Sequence, residues 1–276
     1  MKRIIRHLSI VLLIVLASCA IKKTNNESII LRYHPVEGAV YDLYSNVNIA
    51  LDMAQPVNIN MDLFSTVSFK NVKEGESFSS VSKIERVKSI ASSSIFHRSY
   101  DSDNPLLEND IEKQMHDQFS KILNLDFKSK QNSLGEKLLD YDYDSIFGSD
   151  EKVKAQFKEL EQSISITSLI YPEEKVKEGT SWLVQVKSQS SIYPVVQKIT
   201  YTVTEITPTE VYLSLKGIIV YETNKVEGGG EIEGQTIVDR NTGIVKTSRQ
   251  SQVMNMKVDD YKATSVNSIE VKNVKR

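Results

Sequence analysis

The sequence predicts a mainly β (α+β) fold: a large curved antiparallel sheet or half-barrel, with about two helices drawn from the middle of the chain. Three observations predict it. Apolar and polar residues alternate with period two in both outer parts of the chain, first in Tyr41–Leu51 and Val57–Leu63. The period changes to three or four between Leu107 and Ile122. Turn-forming residues, as in Asp239-Arg240-Asn241-Thr242-Gly243, separate the alternating runs at short intervals. A chain of 276 residues can bury a sizeable core, and 11 Gly and 6 Pro are too few for a disordered or collagen-like chain.

The elements follow in order. Residues 1–18 form a secretory signal: Lys2, Arg3 and Arg6 precede an apolar run from Leu8 to Leu16, then small residues lead into Cys19. The run is about half of the ~20 residues that a membrane-spanning helix needs. Cys19 is the single cysteine. Residues 19–28 read as a polar tether, whose nine or ten extended residues reach roughly 30 Å. Residues 29–276 read as a single β-rich domain, with strand blocks 29–105 and 171–272 flanking a helical segment, 106–165. In the first block, Gln55-Pro56 turns one strand into the next. Phe64–Val72 and Phe78–Val87 are strands joined over Lys73–Glu76, and Ser92–Tyr100 is a strand that ends in the loop Asp101–Pro105.

In the middle, Ile111, Met115, Phe119 and Ile122 give an amphipathic helix over Glu108–Leu123. Leu125–Lys130 and Lys137–Tyr143 make a hairpin over Asn132–Gly135. A second helix covers Asp150–Ser163, with Val153, Phe157, Leu160 and Ile164 on one face and Ser149 as N-cap. Ser181–Ser188, Gln197–Ile206, Glu210–Tyr221, Glu231–Asp239 and Ile244–Val258 are strands. Glu227–Gly230 reads as a glycine-rich bend, and the residues from Lys272 as a frayed end or short edge. Val36-Glu37-Gly38 before Tyr41 echoes Val176-Lys177-Glu178-Gly179 before Trp182. The echo reads either as two related β layers or half-sheets or as chance likeness of β-rich segments.

Composition excludes several functions. The formal charge of −2 becomes −5 once the three basic residues of the signal are removed. Such a chain is neither an electrostatic membrane binder nor a nucleic-acid binder. With Cys19 modified no thiol remains for disulfides, thiolate catalysis or cysteine metal sites. Asp140, Asp142, Asp144 and Glu151 match the oxygen-ligand spacing of a calcium loop, but Ser145 stands where the tight turn needs glycine. A solvated acidic loop is the competing reading, and no metal or cofactor is assigned. Asp101 and Asp103 form a smaller acidic pair. His34, His97 and His116 lack ligand spacing, and no serine lies in a Gly-x-Ser-x-Gly elbow. No catalytic residues are assigned.

Two resemblances add to this reading. Leu16-Ala17-Ser18-Cys19 resembles the bacterial lipobox, which implies a diacylglyceryl group on the Cys19 thiol and an acylated amine. Two or three acyl chains at ~0.8 kcal/mol per buried methylene hold a protein stably in a bilayer. Ala20 is not the aspartate of an inner-membrane retention signal, and no acidic run follows. The resemblance therefore implies the periplasmic face of an outer membrane. Tyr171-Pro172-Glu173-Glu174-Lys175-Val176-Lys177-Glu178-Gly179-Thr180-Ser181-Trp182 resembles the segment that opens the second strand block in an uncharacterised family of Gram-negative lipoproteins. Thr236–Gly243 and Ser133-Leu134-Gly135 resemble hairpins of the same family. That family has no assigned activity. More distantly, the order of strands, helices and strands is similar to periplasmic half-barrel lipoprotein carriers, which hold acyl chains between sheet and helices.

The expectation is a non-enzymatic, lipid-anchored envelope protein. It holds an apolar ligand between sheet and helices, or else acts as a scaffold that binds another envelope protein.

Overall fold

The computed structural model describes residues 27–72, 77–108, 110–139, 142–149, 151, 154, 169–188, 194–223, 226–258 and 261–276. The signal segment, Cys19, the turn 73–76 and, apart from Glu151 and Lys154, the second expected helix (150–163) lie outside the described residues.

The described residues form twelve strands and two helices. In the N-terminal half, β1 is Val40–Asp52, β2 Val57–Lys70, β3 Ser77–Ser93, β4 His97–Asp101, β5 Phe127–Asn132 and β6 Lys137–Leu139. Helix α1 (Asp110–Ser120) precedes β5, and a single-turn helix α2 (Tyr143–Phe147) follows β6. In the C-terminal half, β7 is Ser181–Ser188, β8 Val195–Ile206, β9 Glu210–Tyr221, β10 Glu227–Asp239, β11 Val245–Val258 and β12 Tyr261–Lys275. All twelve strands lie in one curved, unclosed antiparallel sheet, in the order β6-β5-β3-β2-β1-β12-β11-β10-β9-β8-β7, with β4 beside β3. The chain meanders out from β1 to one edge, crosses to the other, and meanders back until β12 pairs with β1.

Alternation in sequence becomes sidedness in the sheet. In β9, Val211, Leu213, Leu215 and Ile219 are buried and Lys216, Ile218 and Val220 are exposed. Registers carry the inner face across eight strands: Tyr201, Leu215, Gly234, Gln250, Ile269, Val47, Met61 and Ser89 form one continuous row. Gly234 marks tight curvature. A Cβ there would lie 2.2 Å from the Arg249 carbonyl oxygen of the next strand.

Two main cores line the inner face. The larger, on β7–β11, joins Ile199, Tyr201, Val203, Leu213, Leu215, Ile219 and Ile232 to Leu31, Leu169, Tyr171 and Val176 from the crossing segments. The smaller gathers Leu63, Ile84, Val87, Tyr100, Ile122 and Phe127, with Met115 and Phe119 of α1 and Ile146 and Phe147 of α2 packed on it. Full burial of such a side chain contributes about 1.5–3 kcal/mol.

The fold class agrees with the sequence expectation, and four details correct it. The residues from Lys272 are neither a frayed end nor a short edge: they close a fifteen-residue strand, Tyr261–Lys275, at the centre of the sheet. Their inner positions include Ala263, Ser265 and Asn267, so the apolar alternation is diluted. Glu227–Gly230 lies in β10, where pairing to β11 absorbs the glycines. Ser92–Tyr100 is not one strand: β3 runs on to Ser93, and a turn leads into β4. Phe64–Val72 does not begin a new strand, because β2 runs unbroken from Val57 to Lys70, with a register shift at Phe64/Ser65. The two strand blocks are halves of one continuous sheet, joined at β1 and β12.

Candidate functional site

The inner face differs from one end to the other. At the end marked by the turns Thr207–Glu210 and Asp239–Gly243 it is sealed. Ile29 and Val176 exchange backbone hydrogen bonds of 2.8 Å in both directions. Tyr171 Oη donates to the Gly243 carbonyl (2.6 Å), and Trp182 Nε1 donates to that of Ile170 (2.8 Å) while its ring stacks on Tyr201. Burial pushes the Tyr201 phenol up to about 12, and raises Tyr33 and Tyr171 further.

Toward the opposite end, where residues 53–56 turn β1 into β2, the same face opens. Ile49, Leu51, Val57, Ile59, Met254, Met256 and Tyr221 hold inner-face positions and are only half-buried. They line an apolar mouth over parts of β1, β2, β9 and β11, where Met254 and Tyr221 also pack on the larger core and Ile49 on Val47 and Ile269, while Val195 and Ile219 at the same end of β8 and β9 stay buried. The two methionines add a flexible, polarizable surface that adapts to irregular apolar shapes.

Between the sealed and open levels the inner face carries buried polar side chains. Thr236 and Ser248 share a hydrogen bond of 3.0 Å, and Gln250 Nε2 reaches Ser248 Oγ at 3.5 Å. Among the described residues Gln252 Nε2 and Gln197 Oε1 are buried with no hydrogen-bond partner. An unsatisfied buried polar group costs about 1–3 kcal/mol, so each is an expense that packing alone does not explain. Sequence reasoning missed both glutamines. Each sits in phase with apolar residues (Val195, Ile199; Met254), which is the one signal that marks an inward-facing polar side chain.

The residues singled out from sequence have other partners. Cys19 and Asp140 lie outside the described residues. Asp142 caps α2, its carboxylate accepting from the Ser145 amide at 3.0 Å. Asp144 and Glu151 come together on the Lys154 ammonium and raise its pKa. Lysine thus supplies the positive charge there, and among the described residues no group of three or more acidic, His or Cys side chains is arranged to hold a metal ion. Asp101 and Asp103 pair with Arg86, at 2.5 Å and 3.0 Å, and the guanidinium holds the Asp101 carboxyl below the usual carboxylate range. His116 Nδ1 lies 3.3 Å from Tyr100 Oη. His97 starts β4, and the His34 amide donates to the Thr242 carbonyl.

The outer face of β1 and β2 carries an amide ladder. Tyr44 and Asn46 donate to Asp62, Asn48 to Asn46, and Asn60 to Asn48. Two shallow clefts of about 300 and 290 Å³ flank it and share Asn60 and Ile90. Among the described residues no helix is long and apolar enough to cross a membrane.

Comparison with known proteins bears on the fold. The sequence matches no curated protein. The chain is similar in structure to lipovitellin, from a study of its lipid–protein interactions, with a TM-score of 0.57 and 10% identity; the match covers 87% of this chain and 25% of that one. The chain therefore spans about a quarter of lipovitellin's length. Weaker likenesses join it to the translocator domain of the autotransporter NalP from Neisseria meningitidis (TM-score 0.35, 7% identity, 87% and 89% covered). The COG4313 outer membrane channel from Pseudomonas putida F1 scores 0.28 at 8% identity, with 88% and 98% covered. Residues 143–245, which span α2 to β11 and so most of the larger core, match a family of unknown function, DUF6263.

Proposed function

We propose that this protein is a non-enzymatic envelope lipoprotein that holds an apolar ligand on the inner face of its sheet. The observation that carries the reading is the graded inner face, sealed at one end and half-open at the other over Ile49, Leu51, Val57, Ile59, Met254 and Met256. An apolar surface left half-open on the concave side of a sheet gains free energy by taking up hydrocarbon, at about 25 cal/mol per Å² covered. The likeness of fold to lipovitellin, a protein studied for its contacts with lipid, supports the same class of ligand. The anchor is Cys19, acylated after removal of residues 1–18, and the bilayer is its first partner. The location that follows is the cell envelope, at the periplasmic face of an outer membrane.

Native mass spectrometry of the mature protein, followed by solvent extraction, tests the ligand. A stoichiometric lipid released on unfolding is the expected result; a mass equal to that of the acylated polypeptide alone, in protein purified without detergent, refutes it. Intact mass tests the anchor separately, since an unmodified Cys19 thiol or a retained signal removes it. A second reading, an envelope scaffold, is favoured by the β7 edge. Among the described residues β7 pairs only with β8, and its Leu183 is 63% exposed. An added strand from a partner protein would bind there. Crosslinking from Leu183 in intact cells distinguishes the two.

A further inference from the structure

We infer that the inner face selects neutral amphiphiles, fatty esters or amides, over bare hydrocarbon, and that Gln252 and Gln197 hydrogen-bond the ligand's polar group. This deepens the ligand-binding reading above and rests on it. Gln252 is 2% exposed and lies in the inner-face row Ile199, Gly217, Ile232, Gln252, Asn267, Ile49, Ile59. That row is where the buried interior meets the half-open mouth. Gln197, 3% exposed, starts the next row toward the mouth, with Ile219, Gly230 and Met254.

These two atoms are complementary in kind. Among the described residues Gln252 Nε2 is a donor without an acceptor, and Gln197 Oε1 is an acceptor without a donor. A carbonyl oxygen satisfies the first; an amide N–H or a hydroxyl satisfies the second. The other buried polar groups on this part of the face (Ser45, Thr236, Ser248, Gln250) are uncharged. A carboxylate or phosphate taken to this depth would meet no counter-charge among these described groups, which favours a neutral ester or amide over a free fatty acid.

The test uses the mature protein, stripped of endogenous lipid and reloaded with methyl palmitate carrying a ¹³C carbonyl, with hexadecane and palmitate as comparators. The infrared carbonyl band of bound ester is expected at lower frequency than in hexadecane solution. Gln252→Leu returns it to the unbonded position and lowers ester retention several-fold, while hexadecane retention is unchanged. Gln252→Met serves as the second variant if Leu fails to fold. Gln197→Leu leaves the carbonyl band unmoved and weakens retention of palmitamide. An identical carbonyl band in the native protein and both Gln252 variants overturns the inference, as does retention of hexadecane or palmitate equal to that of the ester. Failure of the native protein to retain any of the probes refutes the ligand-binding reading itself, and this inference with it.

Discussion

The two halves of the sheet use the same alternating pattern and end with different interiors. On β7–β11 the inner side chains are covered by backbone that crosses them, through residues 29–33 and 169–176, and aromatic side chains fasten that cover by hydrogen bonds to carbonyls. On β2–β5 the cover is α1 and α2, and half-buried Met61, Met115 and Phe119 complete the packing. Depth of burial is therefore set by what crosses the strands, because period two specifies only which side faces inward. A face covered over part of its length leaves the remainder available to another molecule.

Four measurements break or sharpen this contrast. The largest effect is expected for Gly234→Val in the C-terminal half. Its Cβ would fall 2.2 Å from a carbonyl oxygen and 3.0 Å from the Gln250 Cα, both backbone atoms that cannot move without parting β10 from β11. A loss of about 3 kcal/mol or more in urea unfolding follows, in the range of severe overpacking. Next come two truncations at equal burial: Leu213→Ala and Leu63→Ala, both 1% exposed in the native protein. The first is expected to cost about 4 kcal/mol, and the second about 2.5, because the methionines around Leu63 can collapse into the space. Equal losses would show that the two covers are equally rigid.

Alkali should act on the C-terminal half. Tyr33, Tyr171 and Tyr201 have raised native pKa values, so their contribution is complete below the unfolded value near 10. It falls as pH rises from there through about 12, where Tyr201 ionises. Tyrosinate absorbance should then rise together with loss of near-ultraviolet circular dichroism; ionisation of all tyrosines near pH 10 without unfolding would refute the burial. Acid should act more weakly and in both halves, since Glu210 and Glu270 are held down by Lys246 and by Arg249 as Asp101 is by Arg86; the N-terminal pair isolates the effect. Asp101 has a depressed native pKa through Arg86, so its contribution is present above the unfolded carboxylate value and is lost as pH falls through the lower native one. Both side chains are about one-third exposed (32% and 30%), which screens the pair. Asp101→Asn should shrink the acid-dependent fall in the urea midpoint, and an unchanged fall would mean that the pair contributes nothing.

The sequence carries much of this fold and little of the site. Strands with regular alternation and marked turns, such as Ser181–Ser188 and Glu210–Tyr221, have the same limits in both readings. The last strand is hidden because Ser265 and Asn267 occupy its inner positions. Only Ile269 and Val271 of its inner positions are buried and apolar, packed with Val47 of β1, too short a run to mark a strand of fifteen residues. Gln197 and Gln252 are in phase with apolar neighbours, which marks them as inward-facing, but the lack of a partner for their amides depends on side chains of other strands and is not written in the local sequence. The acidic residues around Asp142 match a calcium-loop spacing and also suit a solvated loop, and spacing does not reveal that Lys154 lies between Asp144 and Glu151.

The pairing of β12 with β1 constrains how the molecule assembles. Arg276 Nε donates to Asp42 Oδ1 at 2.6 Å across 234 positions of chain, whereas most other strand pairs are hairpins. Local hairpins close cheaply, while contacts of such separation carry the full loop entropy and form slowly. Each half can therefore order by itself, with the junction zipped last. Until then β1 and β12 both present bare hydrogen-bonding edges, and a folding intermediate of this kind is open to pairing one of them with a neighbouring copy.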